Sequence, residues 1–314
     1  MTETRSPELL AAYAYCRDVA KREAKNFYYA FRVLPLHKSD AMCAVYAFMR
    51  KADDLSDDES MSIEARRDAM ATWTDSWRTS RTSPTTDPVF LALNDTQQRF
   101  GISDALLEQL VAGTTLDLQE IPEGVILYTM PDGSTVQLYK NFAALQNYCY
   151  LVASVVGLVC IRIFGYADLR AEQLAIDTGI AFQLTNILRD VKEDVERGRI
   201  YLSADLLRDN GVLPERIVVL GAGYAPQPNE LALLRGLELH AQTLYRSANK
   251  LIPMLDVDSR AAMRVLVRIY KRLLDRIAKD PSAIFRERVS VPTSQKLAIL
   301  GVGAIQSLKA RLHR

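Results

Sequence analysis

The chain has 314 residues, 49% hydrophobic and 25% charged, with 39 Lys and Arg against 38 Asp and Glu. This composition supports a real core and excludes wholesale disorder or a polytopic membrane protein. A net charge of +1 also removes the global basic field of a dedicated nucleic-acid binder, so no nucleic-acid partner is expected.

Apolar residues recur at helical spacing nearly throughout, which predicts an all-α chain with helices over 8–24, 39–53, 62–79, 87–99, 103–118, 140–164, 168–196, 203–209, 228–254, 259–279 and 296–312. Ser39-Asp40, Ser103-Asp104 and Asp258-Ser259 supply N-cap side chains, while Gly101, Gly165 and Gly211 stand where helices should end. The most linker-like stretch, Arg81 to Pro88, has the length of an ordinary interhelical loop, so one domain over 1–314 is expected. One segment, Ile121 to Leu138, breaks the helical rhythm: β-branched residues flank Pro131-Asp132-Gly133-Ser134, which fits either a small hairpin or an irregular surface loop.

Cys16, Cys43, Cys149 and Cys160 form no CxxC pair and have no neighbouring His cluster, so neither zinc nor a disulfide framework is indicated. The N-terminal MTETRSPELL has no basic stretch followed by an apolar one, and no uninterrupted apolar run reaches the roughly 18 residues of a membrane span. A cytoplasmic location is expected. The run Leu151 to Ile161, ended by Arg162, reads as a buried helix.

Two acidic arrays carry the chemistry. Within Arg50 to Asp58 (RKADDLSDD), Asp53 and Asp57 share one helical face and Asp54 and Asp58 a neighbouring one, because residues four apart lie one turn along. Like charges so placed repel, and the C-terminal end of the macrodipole disfavours them further, so a compensating cation is expected. Within Phe182 to Asp194 (FQLTNILRDVKED), Asn186, Asp190 and Asp194 step along a helix at the same spacing, with Gln183 a turn below Asn186 and Leu184, Ile187, Leu188 and Val191 on the apolar side. Oxygen ligands on two helices suit a hard cation such as Mg²⁺, which takes one or two carboxylates and keeps waters and substrate phosphate oxygens. The competing account of either array is a solvated charged face. His37, His240 and His313 form no Glu-x-x-His pair, and a nucleophile elbow, P-loop and GxGxxG are absent from the sequence.

These motifs resemble those of the squalene/phytoene synthase family, the head-to-head prenyl transferases of the all-α isoprenoid synthase fold. The resemblance lies in Lys25 to Phe31 (KNFYYAF), Val45 to Asp57 (VYAFMRKADDLSD), Leu116-Asp117-Leu118, Tyr148 to Gly157 (YCYLVASVVG), Phe182 to Asp194 with Arg199 to Leu202 (RIYL), Tyr270, and Phe285 to Val289 (FRERV). It implies a single domain of helices around a central apolar cavity, with Asp53, Asp57, Asp190 and Asp194 as metal ligands for Mg²⁺, or Mn²⁺ in its place. Asn26, Arg50, Gln183, Asn186, Arg189, Arg199 and Arg288 would serve the diphosphate, with Lys51 beside them; pairing with neighbouring aspartates is the alternative for these cations, notably Lys51 and Arg189. Tyr28, Tyr148, Tyr201 and Tyr270 would stabilise cationic intermediates or orient diphosphate, with core packing as the alternative. The chain departs from the family pattern at Asn26, where many relatives have serine, and over 121–139, which is longer than the usual connection.

The resemblance implies two prenyl diphosphates as substrates. The run Val152 to Gly165 looks closer to bacterial presqualene diphosphate synthases, which favours two farnesyl diphosphates giving presqualene diphosphate, with squalene or dehydrosqualene as further products and NADPH needed only for squalene. The alternatives are phytoene from two geranylgeranyl diphosphates and, from another class, a non-catalytic helical scaffold. Lys296 to Arg314 carries Leu297, Ile299, Leu300, Val302, Ile305 and Leu308 beside Lys309, Arg311 and Arg314; it fits a final core helix or a peripheral contact with an anionic membrane surface.

Overall fold

A computed structural model describes residues 5–312, without the side chains at positions 25, 26, 117 and 309–312. In chain order the elements are α1 (Pro7–Glu23), α2 (Lys25–Phe31), α3 (Leu36–Ser56), α4 (Ile63–Ser80), α5 (Pro88–Phe100) and α6 (Asp104–Thr114), then strands β1 (Val125–Thr129) and β2 (Thr135–Tyr139). There follow α7 (Phe142–Cys149), a π-helical turn at Tyr150–Ser154, α8 (Val155–Phe164), α9 (Arg170–Glu196), strand β3 (Arg199–Ile200), α10 (Ala204–Asp209), α11 (Pro214–Gly221), α12 (Pro228–Leu251), α13 (Arg260–Lys279) and α14 (Thr293–Leu312). The all-α expectation holds.

Local chemistry sets several boundaries. Ser103 Oγ accepts from Leu106 N at 3.2 Å to open α6, and Gly101 closes α5 in the left-handed region at φ 60°, where a Cβ would be strained. Two expected caps are corrected. α3 begins at Leu36 behind Pro35, so Ser39 and Asp40 lie inside the helix, and buried Asp40 instead accepts from Arg5 at 2.6 Å and Arg17 at 2.7 Å. At the start of α13, Ser259 gives no side-chain cap; its hydroxyl donates to Phe164 O at 2.7 Å. Buried Lys38 ties these parts together, donating to Phe164 O, Asp256, Asp258 and Ser259 at 2.7–3.0 Å.

Residues 121–138 form the hairpin rather than the loop. β1 pairs antiparallel with β2 from Val125↔Tyr139 to Thr129↔Thr135, and β2 pairs in parallel with β3 through Gln137↔Arg199 and Leu138↔Ile200. The pairing brings the chain after α9 under the hairpin.

The core is organised around α9. Leu184, Ile187, Leu188 and Val191 are buried on it, each contributing about 1.5–3 kcal/mol, well above the few tenths lost to each i,i+4 carboxylate repulsion on its other side. α9 packs on α8, the π turn, α11, α12 and α13. A Cβ on Gly179 would lie 2.6 Å from the Ser154 Cα, so only glycine allows this approach, which Ser154 Oγ fastens by donating to Ile176 O at 2.7 Å. The stretch Phe142–Phe164 is long and apolar enough to cross a membrane; here it packs against α3, α6 and α9.

Candidate active site

α3 ends at Ser56, so Asp53 and Asp54 sit in its last turn and Asp57 is the C-cap. The face bearing Met49, Asp53, Ser56 and Asp57 lines a cavity of about 210 Å³, closed opposite by Leu110, Gly113 and Thr114 of α6 and by Leu151, Val152 and Val156. Gly113 has no room for a side chain, because a Cβ there would stand 2.6 Å from Leu151 O. The cationic compensation that this helix end requires comes from two arginines. Arg50 pairs with Asp54 at 2.6 Å, and Arg66 of α4 donates to Ser56 O at 2.9 Å, neutralising the negative end of the helix dipole. Asp58 lies beyond the helix and turns away to Ser60, and Lys51 is exposed; neither lines the cavity.

The second array lies on the polar side of α9. Arg189 Nε donates to Asp190 at 2.6 Å, and Arg288, following the 3-10 turn Pro281–Phe285, places Nε 3.1 Å from the same carboxylate and 3.6 Å from Glu193. Burial disfavours the Arg189 charge, but the Asp190 carboxylate outweighs it and raises the pKa. Asp194 is pushed up to about 7 by burial and by the charge of Asp190, against the opposing pull of Arg197 and Arg199. Asn186 Nδ2 donates to Gln183 Oε1 at 3.3 Å, leaving the buried Asn186 Oδ1 without a hydrogen-bond partner. An orphaned acceptor a turn from one carboxylate and two turns from a strained one is a donor set that a cation would satisfy. Among the described residues no three His, Cys, Asp or Glu side chains converge on one point. Side-chain oxygens carried on helices are donors of the kind Mg²⁺ takes, an ion held by few protein oxygens that completes its shell with water and phosphate.

The four sequence-selected tyrosines fall into separate groups. Tyr148 stacks on Tyr201 with ring centroids 5.0 Å apart, beside Arg199 in a narrow cleft that also includes Leu116 and Pro122. Tyr139 joins them, 5.4 Å from Tyr148 and 6.1 Å from Tyr201; sequence reasoning missed it because its place is fixed by the end of β2. Tyr270 stacks on Phe182 at 4.4 Å and lies 5.9 Å from Phe27. Burial raises the Tyr270 pKa, opposed by Arg189 and the Asn186 side chain. Tyr28 is half-buried on α2, and the Asn26 side chain lies outside the described residues. Leu151, Val152 and Val156 of the acidic cavity are only half-buried, as are Ile180 and Phe182 on α9. His37, in the first turn of α3 at the opposite end from Asp53, stacks on Phe100, and His240 of α12 meets Phe142 edge-on.

A helical bundle with one acidic array lining a cavity walled by apolar side chains and a second on the polar side of α9 is the architecture of the prenyl transferases of the isoprenoid synthase fold. The chain belongs to the squalene/phytoene synthase family, whose family model matches residues 20–295. It is 32% identical over 307 residues to the phytoene synthase of Mycobacterium tuberculosis, covering 96% of this chain and 93% of that protein. It is 30% identical over 320 residues to that of Arthrospira platensis, covering 94% and 93%. Among solved structures, a dehydrosqualene synthase in complex with ligand superposes with a TM-score of 0.76 at 28% identity, over 96% of this chain and 98% of that one. A squalene synthase from Alicyclobacillus acidocaldarius shares the fold at a TM-score of 0.75 and 22% identity, over 88% and 96%. The protein is thus an enzyme that condenses prenyl diphosphates head to head.

Proposed function

We propose that the enzyme is Mg²⁺-dependent and joins two farnesyl diphosphates to give presqualene diphosphate. The observation that carries the chain length is the Phe182–Tyr270 stack at 4.4 Å, extended by Phe27. Descending α9 from Asp190 through Asn186, the side chains change from oxygen donors to this aromatic block, and in this reading the block limits the length of the hydrocarbon tail.

In this reading Asp53, Asp57, Asp190, Asp194 and Asn186 would hold the ion, which would supply charge to offset that developing on departing pyrophosphate. Arg189, Arg199 and Arg288 bind diphosphate oxygens with forked donors. The first substrate loses pyrophosphate at C1; the C2–C3 double bond of the second adds to the resulting allylic cation, and loss of a proton closes the cyclopropane, leaving the second diphosphate on the product. Tyr148 and Tyr201 present ring faces to the cationic species. The half-buried Leu151, Val152 and Val156 exclude water, which would otherwise convert the cation to an alcohol.

A second reading, phytoene from two geranylgeranyl diphosphates, is favoured by the names of the curated relatives. Incubation with Mg²⁺ and either C15 or C20 diphosphate, with and without NADPH, followed by lipid analysis, separates the two. Presqualene diphosphate from C15 substrate without NADPH is expected; C40 products alone would overturn the proposal.

A further inference from the structure

Arg199 lies between two walls. On one side it lines the cleft with Tyr148 and Tyr201, to which Val125 and Leu138 of the hairpin also contribute. On the other it lines a narrow pocket with Asp194 and Val195 of α9 and Ile217 of α11. β2 reaches the first wall through the Gln137↔Arg199 pair. α11 belongs to the second: it packs on α9, and at its end a Cβ on Gly221 would stand 3.1 Å from Val195 Cγ1, so this helix lies close on the residue that follows Asp194.

A side-chain bond joins the walls. Tyr128 of β1 donates its hydroxyl to Glu215 Oε1 at 2.7 Å, spanning from the hairpin to the first turn of α11. The other oxygen, Glu215 Oε2, is buried without a hydrogen-bond partner among the described residues, so the carboxylate depends on the phenol to offset what it loses in hydration. Tyr128 stands opposite Val136, the neighbour of Gln137, and Glu215 stands one position from Arg216 and two from Ile217. The bond therefore closes a ring that runs from Tyr128 across the sheet to Arg199, over the last turns of α9 to α11, and back. A hydrogen bond to a carboxylate is among the stronger ones, and a guanidinium held from both sides presents its fork to an anion with less ordering left to do.

We propose that Tyr128 and Glu215 are positioning residues for diphosphate, which hold Arg199 in place by clasping the hairpin to α11. This rests on the reading of Arg199 as a diphosphate ligand. The test measures KM and kcat for the prenyl diphosphate and, by calorimetry, the Kd of inorganic pyrophosphate in the presence of Mg²⁺, all on the full chain. Tyr128→Phe and Glu215→Ala should each raise KM and Kd about fivefold or more, with kcat within about twofold of the wild type. Glu215→Gln, whose amide oxygen still accepts from the phenol, should keep the wild-type values. In an Arg199→Gln background, itself weakened about tenfold, Tyr128→Phe should add nothing, because the two act through one contact. A purely structural bond would lower Tm and kcat together and leave KM alone; that result would overturn the proposal, as would full additivity of Tyr128→Phe with Arg199→Gln. If Arg199→Gln binds pyrophosphate as the wild type does, the role of Arg199 falls and the proposal falls with it. If Arg199→Gln is weakened and Tyr128→Phe is not, the clasp alone is refuted.

Discussion

Arg288 places its Nε 3.1 Å from Asp190 Oδ1, reaching the acidic face of α9 from the segment that follows α13. A guanidinium already seated on a carboxylate competes for the oxygens that a cation would use, and under the proposed function it is itself a ready diphosphate ligand once displaced. Charge-assisted hydrogen bonds are worth about 1.5–3 kcal/mol, so Arg288→Gln should raise KM for the prenyl diphosphate about tenfold or more. The arginine side chain is half exposed, so thermal unfolding of the variant should match the wild type.

Asp53→Asn and Asp190→Asn should each lower turnover about 10³-fold, the scale on which removing a preorganised electrostatic partner acts, with Tm changed by only a few degrees. Steady-state kinetics at saturating Mg²⁺ checks this; full activity in both variants would exclude the carboxylates from the reaction.

Asp194 supplies a pH test of the metal-free protein. Its folded pKa of about 7 stands above the ordinary aspartate value of 3.8, so the folded state holds the extra proton between those limits, and this group's contribution to stability falls as pH rises from about 4 to 7. Asp194→Asn removes that slope. In chelator-treated protein at pH 8 the variant should melt higher than the wild type, whereas at pH 4 the two should converge.

Phe182→Ala should lengthen the room below Asn186. Relative turnover of C20 over C15 diphosphate should rise about tenfold, which corresponds to about 1.4 kcal/mol of altered discrimination. Loss of the stacked ring should cost about 3 kcal/mol in urea unfolding. An unchanged chain-length ratio would remove the aromatic block as the limiting feature.

Lys38 predicts a purely structural effect. Lys38→Met takes the Lys38 ammonium from Asp258, 6% exposed in its side chain, and one-sided removal of a buried partner costs about 3–5 kcal/mol. Denaturant titration should show that loss while KM stays unchanged.

The long helices and both acidic arrays were legible because i, i+4 spacing and apolar periodicity are local properties: Asp190 and Asp194 share a face wherever α9 is a helix. α2 and α11 were not, since seven and eight residues hold too few turns for periodicity to register, and their helices rest on packing. The two-residue β3 depends on pairing with Gln137 and Leu138, far away in sequence, and Tyr139 enters the tyrosine group for the same reason. Asp58 shares its spacing with Asp54 but lies past the helix end, where the face rule no longer applies. The apolar side of α14 could be read, though not its direction; that was decided by Gly303 and Ser307 fitting against α13 and Val33.

The hairpin before α7 has a reach beyond the surface it covers. Gln137 N holds Gly198 O at 2.8 Å, and the next residue, Arg199, enters the cleft beside Tyr148 and Tyr201. The hairpin is therefore a splint on the turn leaving α9. Trimming it for a more compact enzyme would unmoor a guanidinium rather than merely tidy a loop.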